Sequence, residues 1–293
     1  MPGALGAALG DGADAVIDAV SYNREHAEQL IGVQSSVGAF VVISSASVYC
    51  DTAGRTLDEA RSTGFPQLPL PINEAQPTVD PGPTTYSARK VALEMRLLER
   101  ADRPVTVFRP CAIHGPYSSH PREWVVCQTH RRQAHGHPTR LSRREPPSHD
   151  LRRQSCGACA SCPRKSGDTN VECSRSAGPH RFEIGAAIAR HLRYEGAFIK
   201  VDDVSYPPGI GATPWSVPQP FVVDMSSARS LGYEPMTSYE EAVKTTSDWL
   251  IETSRQHDWQ EVFPALASYP RNHFDYGAED TFFARLGTSE LSE

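Results

Sequence analysis

The 293-residue chain has no run of about 18 apolar residues, the length a helix needs to cross a bilayer, so no membrane span is expected. Its first residues, MPGALGAALGDGADAV, lack the basic start of a secretory signal peptide. It lacks an excess of positive charge: 29 Lys and Arg stand against 35 Asp and Glu, a net of −6, which argues against general nucleic-acid or membrane-surface binding. There is no internal repeat. A cytoplasmic location is expected, and with it reduced thiols for the seven cysteines. A local poverty marks residues 127–181. These contain Leu141, Leu151 and Val171 but no other Leu, Ile, Val or Met, and no Phe, Tyr or Trp. They hold five of the seven cysteines, and eleven basic residues against four acidic ones. The segment is therefore +7 and the remainder of the chain −13. So little apolar surface cannot offset the entropy of ordering, and a basic segment of low order is expected there.

What is present elsewhere is orderly. Hydrophobic residues make up 39% of the chain, enough for a sizeable core in one large α/β domain or two modest ones. DAVIDAV (14–20) suits a short buried strand, and NREHAEQLIGV (23–33) has helical spacing. AFVVISSASVY (39–49) starts as a strand, Ala39 to Ile43, and opens into small hydroxyl residues. Residues 50–85, rich in Pro, Gly and Asp, read as a surface loop. YSARKVALEMRLLER (86–100) is an amphipathic helix with Val91, Leu93, Met95, Leu97 and Leu98 near its buried side. PVTVFRP (104–110) is a strand ended by Pro110. Beyond the basic segment, 182–194 reads as a helix with Ile184, Ile188 and Leu192 four apart, and 198–203 as a strand. A Pro-rich loop (205–224) leads into a further short strand. Residues 226–235 read as a short helix closed by Gly232, and 238–255 as a strong helix with Ser238 and Glu241 spaced as a capping box. Alternating strands and helices predict a parallel sheet with crossover helices.

The chemistry concentrates on Ser45, Tyr86 and Lys90. Tyr86 and Lys90 are four apart at the start of a helix and share one face. A free phenol, with a pKa of about 10, is a poor base at neutral pH; a neighbouring ammonium lowers that value. The same ammonium can hold a ribose hydroxyl, and a serine at the end of an adjacent strand can hydrogen-bond a substrate oxygen. Together they would form a proton-transfer device beside a hydride carrier. On spacing alone, a Tyr-x-x-x-Lys pair is more readily a surface contact.

The order VVISSASVY, TTYSARK, VFRPCAIHGP resembles the extended short-chain dehydrogenase/reductases, and among them the NAD-dependent epimerase/dehydratase family. The resemblance covers residues 12–126 and resumes more weakly over 182–275. It implies an α/β fold with a partial Rossmann-like, doubly wound parallel sheet and a small C-terminal substrate-binding region. It divides the chain into a dinucleotide-binding domain (1–126), the basic Cys/His-rich segment (127–181) and a substrate-binding region (182–293). It implies catalytic roles for Ser45, Tyr86 and Lys90, and cofactor contacts for Tyr86, Lys90, Pro110 and Ile113. Substrate contacts would fall on Ser45, Arg109 and His114, although His114 as a plain turn residue competes with that role. Cys111 reads as a small buried hydrophobe. The implied cofactor is NAD or NADP and the partner a nucleotide-sugar-like or related small molecule; a homodimer is compatible with the family.

Two departures stand out. The fold's glycine-rich phosphate loop should follow the first strand. The glycines of GALGAALGDG (3–12) follow no apolar strand, and DAVIDAV matches the family's fourth strand. The expectation is a chain that begins after two strand–helix units, roughly 60 residues, with one sheet edge bare, weakened dinucleotide binding and impaired activity. The second departure is Cys156, Cys159, Cys162 and Cys173, whose spacing suits zinc or an iron–sulfur cluster, but no apolar frame surrounds them. Codons compatible with 138–150, 156–165 and 168–179, read one nucleotide out of phase, yield text resembling the family's at this place. Out-of-frame translation is therefore the expected origin of the segment, with a genuine disordered insert and a metal site as alternatives. The competing functional classes are an inactive remnant or non-enzymatic binding protein and, more remotely, a Cys-cluster metal-binding protein.

Overall fold

The structure is a computed structural model that describes residues 3–134, 141–145, 156–157, 169–171, 181–195, 198–202 and 210–286. Along the chain, α1 (Ala4–Leu9) precedes β1 (Val16–Asp18), α2 (Arg24–Ile31) and β2 (Phe40–Ile43). A 3-10 turn (Ala46–Val48), a short α3 (Ala60–Thr63) and the long α4 (Tyr86–Arg100) lead to β3 (Val105–Phe108) and β4 (Ala112–Ile113). Then come α5 (Trp124–Ala134), β5 (Leu141–Glu145), β6 (Cys156–Gly157), β7 (Thr169–Val171), α6 (Arg181–His191) and β8 (Phe198–Asp202). The chain continues through α7 (Ser226–Ser230), α8 (Tyr239–Thr253), α9 (Trp259–Val262), α10 (Pro264–Ala267) and α11 (Tyr276–Leu286).

These elements form two compact units. One comprises Met1–Ile113, Ser155–Gly178 and Phe221–Met236; the other comprises His114–Gln154, Pro179–Pro220 and Thr237–Glu293. The division differs from boundaries at 126 and 181. Residues 221–236 return to the first unit because Met225, Ala228 and Tyr233 pack on Phe108 of its sheet, a long-range contact that segment-wise composition cannot show.

The first unit is built on a parallel four-stranded sheet in the order β1-β2-β3-β7. Val16 pairs with Phe40, Phe40 with Val105, and Thr106 with Thr169. Side chains alternate across β2. Phe40 and Val42 point to one face and join Ala27 and Leu30 of α2, Leu93 and Leu97 of α4, and Val105 and Val107 of β3. Val41 and Ile43 point to the other face, against Phe108 and the α7 residues. Helices thus cover both faces, as a doubly wound parallel sheet requires. Two glycines serve the backbone. A Cβ on Gly38 would lie 2.4 Å from the Asp14 carbonyl oxygen, so the approach to β2 needs its absence. Gly232, at φ +89°, takes the left-handed conformation that ends α7, and Tyr233 N–H reaches back to the Ala228 carbonyl. β1 occupies a sheet edge, and Ile17 is 74% exposed.

In the second unit, α5, α6 and α8 pack together around Trp124, Ile184, Ile188, Val243 and Leu250, all buried. β5 and β8 pair in parallel, Leu141 opposite Phe198. The expected helices at 86–100, 182–194 and 238–255 are present, within a few residues at their ends. Within 127–181, the described parts are the end of α5, which runs on to Ala134, and β5, β6 and β7; the rest of the segment expected to be of low order lies outside the described residues. Backbone pairing places two of these strands, β7 beside β3 and β6 beside β4. Cys159, Cys162 and Cys173 lie outside the described residues.

Candidate functional site

The site stands at the carboxyl ends of β1 and β2, where open α/β sheets place their ligands. β2 ends at Ile43. Ser44 N–H extends the ladder to the Phe108 carbonyl (2.6 Å), and Ala46 N–H reaches the Pro110 carbonyl (3.0 Å). Between them Ser45, with extended backbone, opens the 3-10 turn, and its Oγ accepts from Ser47 N–H at 3.1 Å. α4 is capped by Thr85, whose side chain accepts from Ala88 N–H at 3.1 Å; Tyr86 is the first helical residue and Lys90 follows one turn on. The structure places the Ser45 side chain close enough to the Tyr86 phenol to act on it. Lys90 is buried, its Nζ 5.9 Å from the Tyr86 ring centre. Nζ donates to the carbonyls of Ser21 (2.6 Å), just past β1, and Ile43 (3.0 Å), at the end of β2. The ammonium therefore ties α4 to both strand ends.

The electrostatics correct one expectation. The Tyr86 phenol lies above its ordinary value, not below it. Burial pushes it up, the nearby Ser45 side chain opposes that, and the nearby Asp58 and Tyr22 add to the rise. Burial also lowers Lys90, against the attraction of Asp18 and Glu94. The ammonium does not dominate the phenol because it faces backbone carbonyls. The proton thus sits on Tyr86 at neutral pH.

Other expected site residues divide. Pro110 is buried and its carbonyl anchors the Ser45 turn, while Ile113 is half exposed in β4. Arg109 is not presented to a ligand. It is 6% exposed, its Nε donates to both Glu94 carboxylate oxygens at 3.2 Å, and one terminal nitrogen reaches Glu94 Oε2 at 2.5 Å. Its other terminal nitrogen donates to the Tyr49 hydroxyl at 3.1 Å. His114 belongs to the second unit, where its buried ring lies 5.2 Å from that of Tyr239 and its Nδ1 3.9 Å from Glu123. Burial pushes the Glu123 carboxyl up. Cys111 is only partly buried, beside Ala46, Tyr49 and Ile72.

Several neighbours of the site were not singled out in the sequence. The Tyr22 ring packs against that of Tyr86, tilted by 50°, with centres 5.6 Å apart. Asp18 binds the turn that presents the Ser21 carbonyl, accepting from Ser21 N–H and Oγ at 2.6 Å. Behind Tyr86, Ser87 hydrogen-bonds Ser47 (3.0 Å) and Glu59 (3.2 Å), and Thr56 joins Glu59. The one available signal was Glu94, four residues beyond Lys90 on the buried face, a charge that needs a partner.

A nicotinamide dinucleotide fits the nicotinamide–ribose end of this site: Lys90 uses two of its three donors on carbonyls, leaving one for a ribose hydroxyl. Among the described residues no group of three or more His, Cys, Asp or Glu is placed to hold a metal ion, and no helix is long and apolar enough to cross a membrane.

No protein-family model matches the chain, and no curated protein matches it. Solved structures do. RMD from Pseudomonas aeruginosa, complexed with NADPH, is 16% identical, with 80% of this chain and 81% of that one aligned at a TM-score of 0.50. The Bordetella bronchiseptica enzyme WbmH, in complex with NAD+, is 16% identical over 82% of this chain and 76% of its own, at 0.50. UDP-N-acetylglucosamine 4-epimerase from Methanobrevibacter ruminantium, in complex with UDP-N-acetylmuramic acid, is 15% identical over 82% and 77%, at 0.52. The expected Rossmann-like α/β architecture is therefore the fold this chain shares with enzymes of the kind its motifs resemble; identities this low speak to the fold alone.

Proposed function

We propose that this chain is an NAD(P)-dependent oxidoreductase of the epimerase/dehydratase type, acting on a nucleotide-sugar-like or related small substrate. The observation that carries the reading is the meeting of Ser45, just past β2, with Tyr86, at the start of α4, the Lys90 ammonium being fixed beside them at the ends of β1 and β2. A bound nicotinamide would supply hydride transfer. Ser45 would hold the reacting oxygen. Tyr86, carrying its proton at neutral pH, would donate it to a substrate carbonyl as that oxygen gains charge, or take it back in the reverse direction. Lys90 would bind the ribose and keep Tyr86 and the strand ends in register. Pro110 and Ile113 would line the same strand end, toward the cofactor.

The test is turnover with NAD or NADP across nucleotide sugars. Tyr86→Phe is expected to lower kcat by about 100- to 10,000-fold while the fold, read by circular dichroism, is kept. Lys90→Ala is expected to weaken NAD(H) binding in calorimetric titration. Absence of turnover in the wild-type chain with either cofactor would refute the enzymatic reading.

A further inference from the structure

We infer that Glu94, Arg109 and Tyr49 form a buried clamp that positions the three groups of the proposed site, and that Arg109 serves as a positioning residue. This rests on the roles assigned above to Ser45, Tyr86 and Lys90. Those groups lie on two chain segments, and each clamp member belongs to one of them or directly follows β3, the strand paired with β2. Glu94 continues the row Tyr86, Lys90, Glu94 along one face of α4, each one turn from the last. Tyr49 closes the 3-10 turn that Ser45 opens, and its N–H donates to the Ala46 carbonyl at 3.3 Å. Arg109 directly follows β3 and precedes Pro110, whose carbonyl accepts from Ala46 in that same turn at 3.0 Å. Through one guanidinium, α4, β3 and the Ser45 turn are held together.

The parts are suited to this work. The Arg109 and Glu94 side chains are 7% and 2% exposed, and Tyr49 is fully buried. Three guanidinium nitrogens are occupied, two by the carboxylate in a fork and one by the phenol. The Arg109 guanidinium also lies 5.0 Å from the Tyr49 ring centre. A buried pair of this kind adds little to stability over an apolar replacement of both partners, but it specifies relative placement. A displacement of about 1 Å at a reacting centre costs about 100-fold in rate.

The test uses the full chain labelled with 13Cζ-tyrosine, the Tyr86 resonance being identified as the one missing in Tyr86→Phe. Ser45→Ala marks where that resonance goes when the Ser45 hydroxyl is removed. Tyr49→Phe, which spares the ion pair, and the double variant Glu94→Leu/Arg109→Leu, which removes both charges together, are expected to move it toward the Ser45→Ala position. Kcat should fall about 10-fold in the first and about 100-fold in the second, with KM within about 2-fold of wild type. A folded Tyr49→Phe or double variant whose Tyr86 signal stays at the wild-type position overturns the clamp, whatever its turnover. If the double variant does not fold, Tyr49→Phe alone decides. A signal that moves in a chain whose wild type has no turnover upholds the clamp and removes the enzymatic reading, so the two failures are told apart.

Discussion

Burial and hydrogen bonding act against each other at single residues throughout this molecule, and pH exposes which one prevails. At Asp51 hydrogen bonding prevails. Its carboxylate accepts from the backbone N–H groups of Ala53, Arg55 and Gln67 at 2.9–3.0 Å and pairs with the Arg55 guanidinium at 2.7 Å. These contacts hold its pKa well below the usual carboxylate range despite burial. A depressed pKa contributes stability above the unfolded value of about 3.9 and loses it as pH falls further. The melting temperature of Asp51→Asn should therefore lie well below wild type at pH 7, with the gap closing as pH falls below about 4. At Tyr276 burial prevails and the phenol is pushed up to about 12, in spite of Thr129 and Arg132. The sign reverses: its contribution is present below about 10 and is lost as pH rises toward the folded value. Denaturant titrations of Tyr276→Phe should show a flatter loss of stability above pH 10; a slope equal to wild type would contradict this.

At the scale of elements, caps and close approaches decide. Ser238 accepts from Glu241 N–H at 3.2 Å, the expected half of a capping box. The reciprocal half is replaced, because the Glu241 carboxylate takes Lys244 at 2.6 Å on the exposed face. Ser238→Ala should therefore cost about 1 kcal/mol, and Glu241→Ala only a few tenths, roughly 0.3 kcal/mol, in denaturant unfolding. Equal losses would show that the box closes in solution. Gly38→Ala should cost more than about 1 kcal/mol, since its Cβ would collide with backbone, which cannot rotate away as a side chain can. Most of these elements were legible beforehand. The strand at 39–43 and the helices at 86–100 and 238–255 carry strong periodicity and end signals, and these are local properties. Met95 was not: expected inside, it is 41% exposed at the rim of the buried arc of α4. The start of α5 and the short helices after Trp259 were missed for the same reason. Their order rests on packing, such as Trp124 against Phe263 at 5.3 Å, more than on local pattern.

At the scale of the whole molecule, two units with separate cores imply two unfolding events. Calorimetry should show a transition broader than a single two-state event. Phe40→Ala, which empties the sheet core, should lower one component, and Trp124→Ala the other. A single transition that both variants shift equally would refute this. The exposed β1 edge carries the apolar Ile17, and Ile17→Lys should reduce concentration-dependent light scattering without lowering the melting temperature.

The amino-acid sequence by itself determined the parallel α/β arrangement, the strand bearing Ser45 and the helix bearing Tyr86 and Lys90. Each follows from periodicity, caps and spacing within a dozen residues. Only the tertiary structure decided that Arg109 turns inward to Glu94 and Tyr49, that the Lys90 ammonium is held by two strand-end carbonyls, and that burial sets the Tyr86 phenol above its ordinary value. Those outcomes depend on which groups meet from positions up to 69 residues apart and on how much water remains between them, and no local pattern encodes either.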